Sequence, residues 1–126
     1  MKPVLAAIAV CVLGGSARAR ADVSIVENDK TINVDCNKDP NISVLGNHIT
    51  IHATGVCASL SIAGNECAFT GVATSASIPG NHNTVTLSAA DDVSVAGNYN
   101  TVIVKHPVKR KTPSISNPGN HNKVTQ

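Results

Sequence analysis

Beyond residue 22, apolar and polar residues alternate with a period of two. The short runs include Val23-Ser24-Ile25, Ile42-Ser43-Val44, Thr84-Val85-Thr86-Leu87 and Val102-Ile103-Val104-Lys105. That period puts successive side chains on opposite faces of a strand, whereas a helix would need 3.6. The runs also recur. Aligned on Asn28, Asn47, Asn65, Asn81, Asn98 and Asn120, they repeat at spacings of 19, 18, 16, 17 and 22 residues. A serine stands four positions before every anchor (Ser24, Ser43, Ser61, Ser77, Ser94, Ser116), and an apolar residue four after it (Ile32, Ile51, Phe69, Val85, Val102, Val124). Immediately before the anchors stand Glu27, Gly46, Gly64, Gly80, Gly97 and Gly119. Each window therefore encodes a short strand, a tight corner and a second strand, and all length variation falls between windows.

Two folds can be built from such units. Gly-Asn is a hairpin signal, which allows an antiparallel β-meander or sandwich. In a meander, however, like residues two strands apart do not touch, so nothing would keep the Asn and Ser columns uniform. In a parallel two-sheet β-solenoid of about six coils, equivalent residues stack at about 4.8 Å, and identical asparagines can bond in ladders. The solenoid is the expected fold. The corner glycines are expected to supply positive φ. The anchors, together with Asn83, Asn100 and Asn122, are expected to line the inside of the corner. Even steps after the corner (Ile32 and Val34, Val85 and Leu87, Val102 and Val104) should point into the core. Aromatic residues make up only 2% of the chain, which suits two closely spaced sheets filled by Val, Ile and Ala.

The first 21 residues differ in kind. Met1 and Lys2, the apolar run from Val4 to Leu13, and Ala17-Arg18-Ala19-Arg20-Ala21 form the three parts of a secretory signal. Cutting is expected after Ala19 or between Ala21 and Asp22. The run is too short to cross a bilayer, which takes about 20 residues, and no later segment is a membrane span. Residues 1–21 are thus read as signal peptide and 22–126 as one repeat domain, secreted or periplasmic. The formal charge of +2 for the whole chain includes Lys2, Arg18 and Arg20. Without them, seven Lys and Arg face eight Asp and Glu. That balance excludes a generally basic nucleic-acid binder. An apolar content of 42% excludes disorder from lack of hydrophobic mass.

Candidate chemistry is sparse. Cys36 and Cys57 lie between windows on adjacent coils, within the reach of a disulfide, and export to an oxidising compartment favours that bond. Cys67 takes a position that elsewhere holds inward Asn83, Asn100 and Asn122, which suits a buried thiol. The residues after the anchors (Asp29, His48, Glu66, His82, Tyr99, His121) form an outward column in which His48, Glu66 and His82 could approach a divalent ion. Tyr99 in the same column speaks for an ordinary solvated turn instead, so no metal or other cofactor is expected. Thr31, Thr50, Thr84 and Thr101, flanked by Thr70, Thr86 and Thr125, resemble the threonine arrays of some ice-binding solenoids. Asn33, His52, Ala68, Ile103 and Lys123 interrupt the array. An insertion at 105–114 gathers Lys105, Lys109, Arg110 and Lys111, four of those seven cations, between Pro107 and Pro113. It could grip an anionic envelope polymer or lipid headgroups, or simply be a solvated loop. Acids gather near the N-terminal end (Asp22, Glu27, Asp29, Asp35, Asp39), so the two ends carry opposite charge and could associate head to tail. Asp91-Asp92 is the only adjacent carboxylate pair and lies between windows, where a turn role is the commoner one. No catalytic residue is assigned.

The pattern apolar-Ser-apolar-x-Gly-Asn-x-Asn-x-Val-x-apolar, clearest from Ser77 to Leu87 and from Ser94 to Val104, resembles the bacterial secreted family known as domain of unknown function 3060. The resemblance covers essentially all of 22–126. It departs at Glu27 in the glycine column, at Lys30, Ile49 and Cys67 in the second asparagine column, and at the basic insertion. It implies a bacterial envelope or extracellular protein and carries no activity. The expected function is an exported, non-enzymatic structural or binding module whose partner is unknown, with an envelope polymer or glycan as the candidate. An adhesive or glycan-binding surface protein is the main alternative, ahead of an ice-binding protein or a polysaccharide-active enzyme.

Overall fold

The structure, a computed structural model, describes residues 22–126. Residues 1–21, read above as a signal peptide, and with them the Ala21 side of the expected cleavage point, lie outside the described residues. Ten strands follow one another without a helix among the described residues: β1 (Asp22–Ile25), β2 (Lys30–Asp35), β3 (Asn41–Val44), β4 (Ile49–Ile62), β5 (Ala68–Ile78), β6 (Thr84–Ala89), β7 (Asp92–Val95), β8 (Thr101–His106), β9 (Ser114–Ser116) and β10 (Lys123–Thr125). Every pairing between them is parallel, so the chain is a β-solenoid of about six coils and not a meander.

Each coil contributes one strand to each of two stacks. The first stack runs through β1, β3, residues 59–62 of β4, residues 75–78 of β5, β7 and β9. The second runs through β2, the starts of β4 and β5, β6, β8 and β10. β4 and β5 are long because they pass from the second stack into the first. The sequence columns become registers. Ser24, Ser43, Ser61, Ser77, Ser94 and Ser116 are successive partners along one stack. Ile32, Ile51, Phe69, Val85, Val102 and Val124 are successive partners along the other.

The core is the seam between the stacks. Ile25, Val44, Ile62, Ile78 and Val95 enter from the first, and Ile51, Phe69, Val85 and Val102 from the second. Phe69, the one phenylalanine, is buried. The backbone makes room for it at Gly71, where a Cβ would press on the Phe69 ring at 3.2 Å and on the Ala53 Cβ at 2.9 Å. In a seam this narrow, a ring fits where the next inward position of its own strand gives up its side chain.

The corner departs from expectation in an instructive way. The glycines before the anchors do not carry the positive φ. That conformation belongs to the residues after the anchors: Asp29, His48, Glu66, His82, Tyr99 and His121, all with φ between 54° and 57°. Gly55, at the opposite edge, is the one glycine with positive φ among the described residues, at 80°. The corner glycines are needed for a steric reason. A Cβ on Gly46 would overlap the carbonyl oxygen of Glu27, one on Gly64 that of Gly46, one on Gly80 that of Gly64, one on Gly97 that of Gly80, and one on Gly119 that of Gly97. All five fall far inside the roughly 3.3 Å at which carbon and oxygen meet. The coils pack so closely at this edge that the column admits hydrogen alone.

Candidate functional site

The tight corner carries two asparagine columns with different roles. The anchors bond coil to coil on the outside. The side-chain oxygen of Asn28 accepts the backbone N–H of Asn47 at 2.8 Å, Asn47 accepts that of Asn65 at 2.9 Å, and Asn65 that of Asn81 at 3.1 Å. Asn81 then accepts from Asn98 at 2.8 Å, and Asn98 from Asn120 at 3.0 Å. In return, the carbonyl of each later anchor accepts the N–H of the residue after the previous one, from Asp29 to Asn47 through Tyr99 to Asn120, at 3.0–3.1 Å. These anchors do not line the inside of the corner as expected. Asn47, Asn81 and Asn98 are half-buried, and Asn28, Asn65 and Asn120 are exposed.

The inner column is the one formed by Asn83, Asn100 and Asn122. Asn83 and Asn100 are each 1% exposed. Each amide nitrogen donates to the carbonyl of the glycine one coil back: Asn83 to Gly64 at 3.0 Å, Asn100 to Gly80 at 2.8 Å and Asn122 to Gly97 at 2.8 Å. Each side-chain oxygen accepts a backbone N–H of that same preceding coil, from Cys67, Asn83 and Asn100 in turn. Carbonyls and amides sealed from water by the close corner thus find partners. Cys67 stands in this column and imitates the amide. Its Sγ lies 3.3 Å from the Gly46 carbonyl oxygen, and the Ile49 N–H faces the sulfur. Burial pushes the thiol up from its ordinary value, and the backbone N–H groups of Ile49 and His48 pull it part of the way back.

The outward ridge next to the anchors divides in two. In its lower half, His48 Nε2 meets Glu66 Oε1 at 2.8 Å and His48 Nδ1 lies 3.7 Å from Asp29 Oδ1. In its upper half, the rings of His82, Tyr99 and His121 stack nearly parallel, with centroids 5.1 and 4.7 Å apart. His48, Glu66 and His82 therefore do not converge on one point. Among the described residues, no group of three His, Cys, Asp or Glu side chains is placed to hold a metal ion.

The threonines fall on the second stack. Thr31 pairs with Thr50 and Thr84 with Thr101, but Ala68 separates the two pairs and Lys123 ends the column. In the neighbouring column, Asn33 and His52 precede Thr70 and Thr86, and Ile103 separates these from Thr125.

The elastic edge carries the remaining chemistry. Cys36 and Cys57 are joined as a disulfide across the first two coils, with Cα atoms 4.9 Å apart, and both are buried. Further along the same edge, Asp91 is 4% exposed and its carboxylate collects consecutive N–H groups of the basic insertion. Asp91 Oδ1 accepts from Val108 at 2.7 Å, Lys109 at 2.9 Å and Arg110 at 3.2 Å. Burial alone would raise this carboxyl. The N–H groups of Lys109, Arg110 and Val108, helped by the Arg110 charge, outweigh it and hold the group below the usual carboxylate range. Arg110 also reaches Asp92 at 3.5 Å, and the Ser114 N–H donates to the Asp91 carbonyl at 2.7 Å. The insertion is therefore tied down at its middle and its end while Lys109, Arg110 and Lys111 stay exposed. Sequence reasoning assigned Asp91 only a turn role. The one signal for more was an acidic pair on the same edge as a basic insertion one coil later.

Residues 63–121 match the family described as protein of unknown function (DUF3060). The resemblance to this family holds over that span, which is shorter than the 22–126 expected from the repeat. The DUF3060 match spans four of the six corners, including the ring stack, the inner Asn83 and Asn100 and the Asp91 clamp, and leaves Asn122 and both disulfide cysteines outside it. No curated protein and no solved structure matches the chain.

Proposed function

We propose that the chain is an exported, non-enzymatic structural and binding module of the bacterial envelope or extracellular space. Its binding element is the basic loop at 105–114, and its partner is an acidic polysaccharide. The observation that supports this reading is the Asp91 clamp. Three N–H groups on one buried carboxylate fix the loop backbone from which the exposed Lys109, Arg110 and Lys111 project, so the backbone part of the ordering cost that a free loop would meet on binding is already met. The rest of the molecule suits a scaffold: its corner asparagines are occupied with holding coil to coil.

The test is binding to an acidic polysaccharide such as alginate, with a neutral glucan as the control. Retention that falls with added salt, and that drops at least tenfold in a Lys109→Ala, Arg110→Ala, Lys111→Ala variant, supports the reading. Equal retention on both polymers, or none on the acidic one, sinks it. The threonine columns give an ice-binding reading little support, since Ala68 and Lys123 break one and Ile103 the other.

A further inference from the structure

We infer that Glu27 is a stop residue: its side chain keeps a second copy of this chain from continuing the solenoid at the N-terminal edge. Among the described residues, both ends of the stack leave strand edges unpaired, β1 and β2 at one end and β9 and β10 at the other. Such edges are templates for further strands. The C-terminal edge has the makings of a landing site. Gly119 and Asn120 close the glycine and anchor columns, and in the second to fifth coils these positions offer a glycine carbonyl and a side-chain oxygen to the coil that follows. Charge favours joining as well, since in the first coil Asp22, Glu27, Asp29, Asp35 and Asp39 outnumber Lys30 and Lys38, and the last coil carries Lys123.

Sterics oppose it. A coil added in register would place residue 27 of the incoming copy over the carbonyl of Gly119, as Gly119 itself stands over Gly97. In five consecutive coils that position tolerates no Cβ, because the carbonyl of the coil beneath already fills the space. Position 27 is the one member of the column with no described coil beneath it, and it is the one member that is not glycine. With no described coil beneath it, the Cβ there meets no carbonyl from below, and it closes the edge to a coil added in register. It is the β-carbon, and not the negative charge, that does the blocking.

This separates two variants cleanly. Sedimentation velocity over a rising concentration series is expected to show one monomer for the wild type and for Glu27→Ala, which keeps the β-carbon and loses the charge. Glu27→Gly is expected to form end-to-end oligomers whose mean mass grows with concentration. Assembly of the wild type, or of Glu27→Ala to the same extent as Glu27→Gly, overturns the inference. So does a Glu27→Gly chain that melts like wild type yet stays monomeric. A Glu27→Gly chain that fails to fold also overturns it, because the inference makes position 27 equivalent to the glycines of the other coils.

Discussion

The amide of Asn100 donates to the carbonyl of Gly80 one coil back at 2.8 Å, inside a corner that water does not reach. The same side chain accepts the Asn83 N–H at 2.8 Å. Replacing it with an apolar residue of similar size strands two buried backbone groups at once. At about 1–3 kcal/mol for each, Asn100→Leu should destabilise the protein by about 2–6 kcal/mol. Asn81→Leu, on the half-exposed outer column, should cost less, since water can take over its acceptor role. Urea unfolding of the two variants side by side checks the order, and equal losses would remove the distinction between the columns.

Cys67 fills an asparagine position with a weaker donor and acceptor. Cys67→Asn should restore both bonds, to the Gly46 carbonyl and from the Ile49 N–H, and raise stability by about 1 kcal/mol. A higher unfolding midpoint at unchanged denaturant slope is the expected result. A drop would mean that the corner in this coil has closed around sulfur and lacks room for an amide.

The Cys36–Cys57 bond staples the first coil to the second across a sequence separation of 21 residues. Removing it in a Cys36→Ala, Cys57→Ala variant should cost about 2–4 kcal/mol. The oxidised protein, unfolded without reductant, should show Cys67 reacting with a thiol reagent while Cys36 and Cys57 do not.

Asp91 makes the basic loop sensitive to acid. Its folded carboxyl lies below the ordinary value of about 3.9, so its contribution to stability is fully present above that pH. It is lost as the pH falls through the folded value. Amide exchange at Val108, Lys109 and Arg110 should therefore be slow near neutrality and accelerate selectively under acid. Asp91→Asn should show faster exchange at those amides at neutral pH and converge with wild type at low pH. An exchange rate indifferent to both changes would show that the loop is held by something else.

The repeat, the register and the inward aliphatic positions were legible in the sequence because a constant corner forces equivalent residues over one another. Ser77 over Ser61 and Val85 over Phe69 follow from counting alone. The reason for each corner residue was less legible. A glycine column looks the same whether it answers a need for positive φ or the lack of space above a carbonyl, and here the positive φ falls on His48, Glu66 and Tyr99 instead. The kink sits two residues later than expected, after the anchor instead of before it, and the anchors turn outward. The Asp91 clamp was out of reach because it depends on the path of an insertion, which no column constrains.

Coils of 16 to 22 residues share one register because every difference in length is taken up at the edge opposite the glycines. One side of the molecule is thereby frozen and the other left free. New loops can be grafted coil by coil onto the free side without repacking the seam, which makes that margin the place where relatives of this chain can diverge in what they recognise.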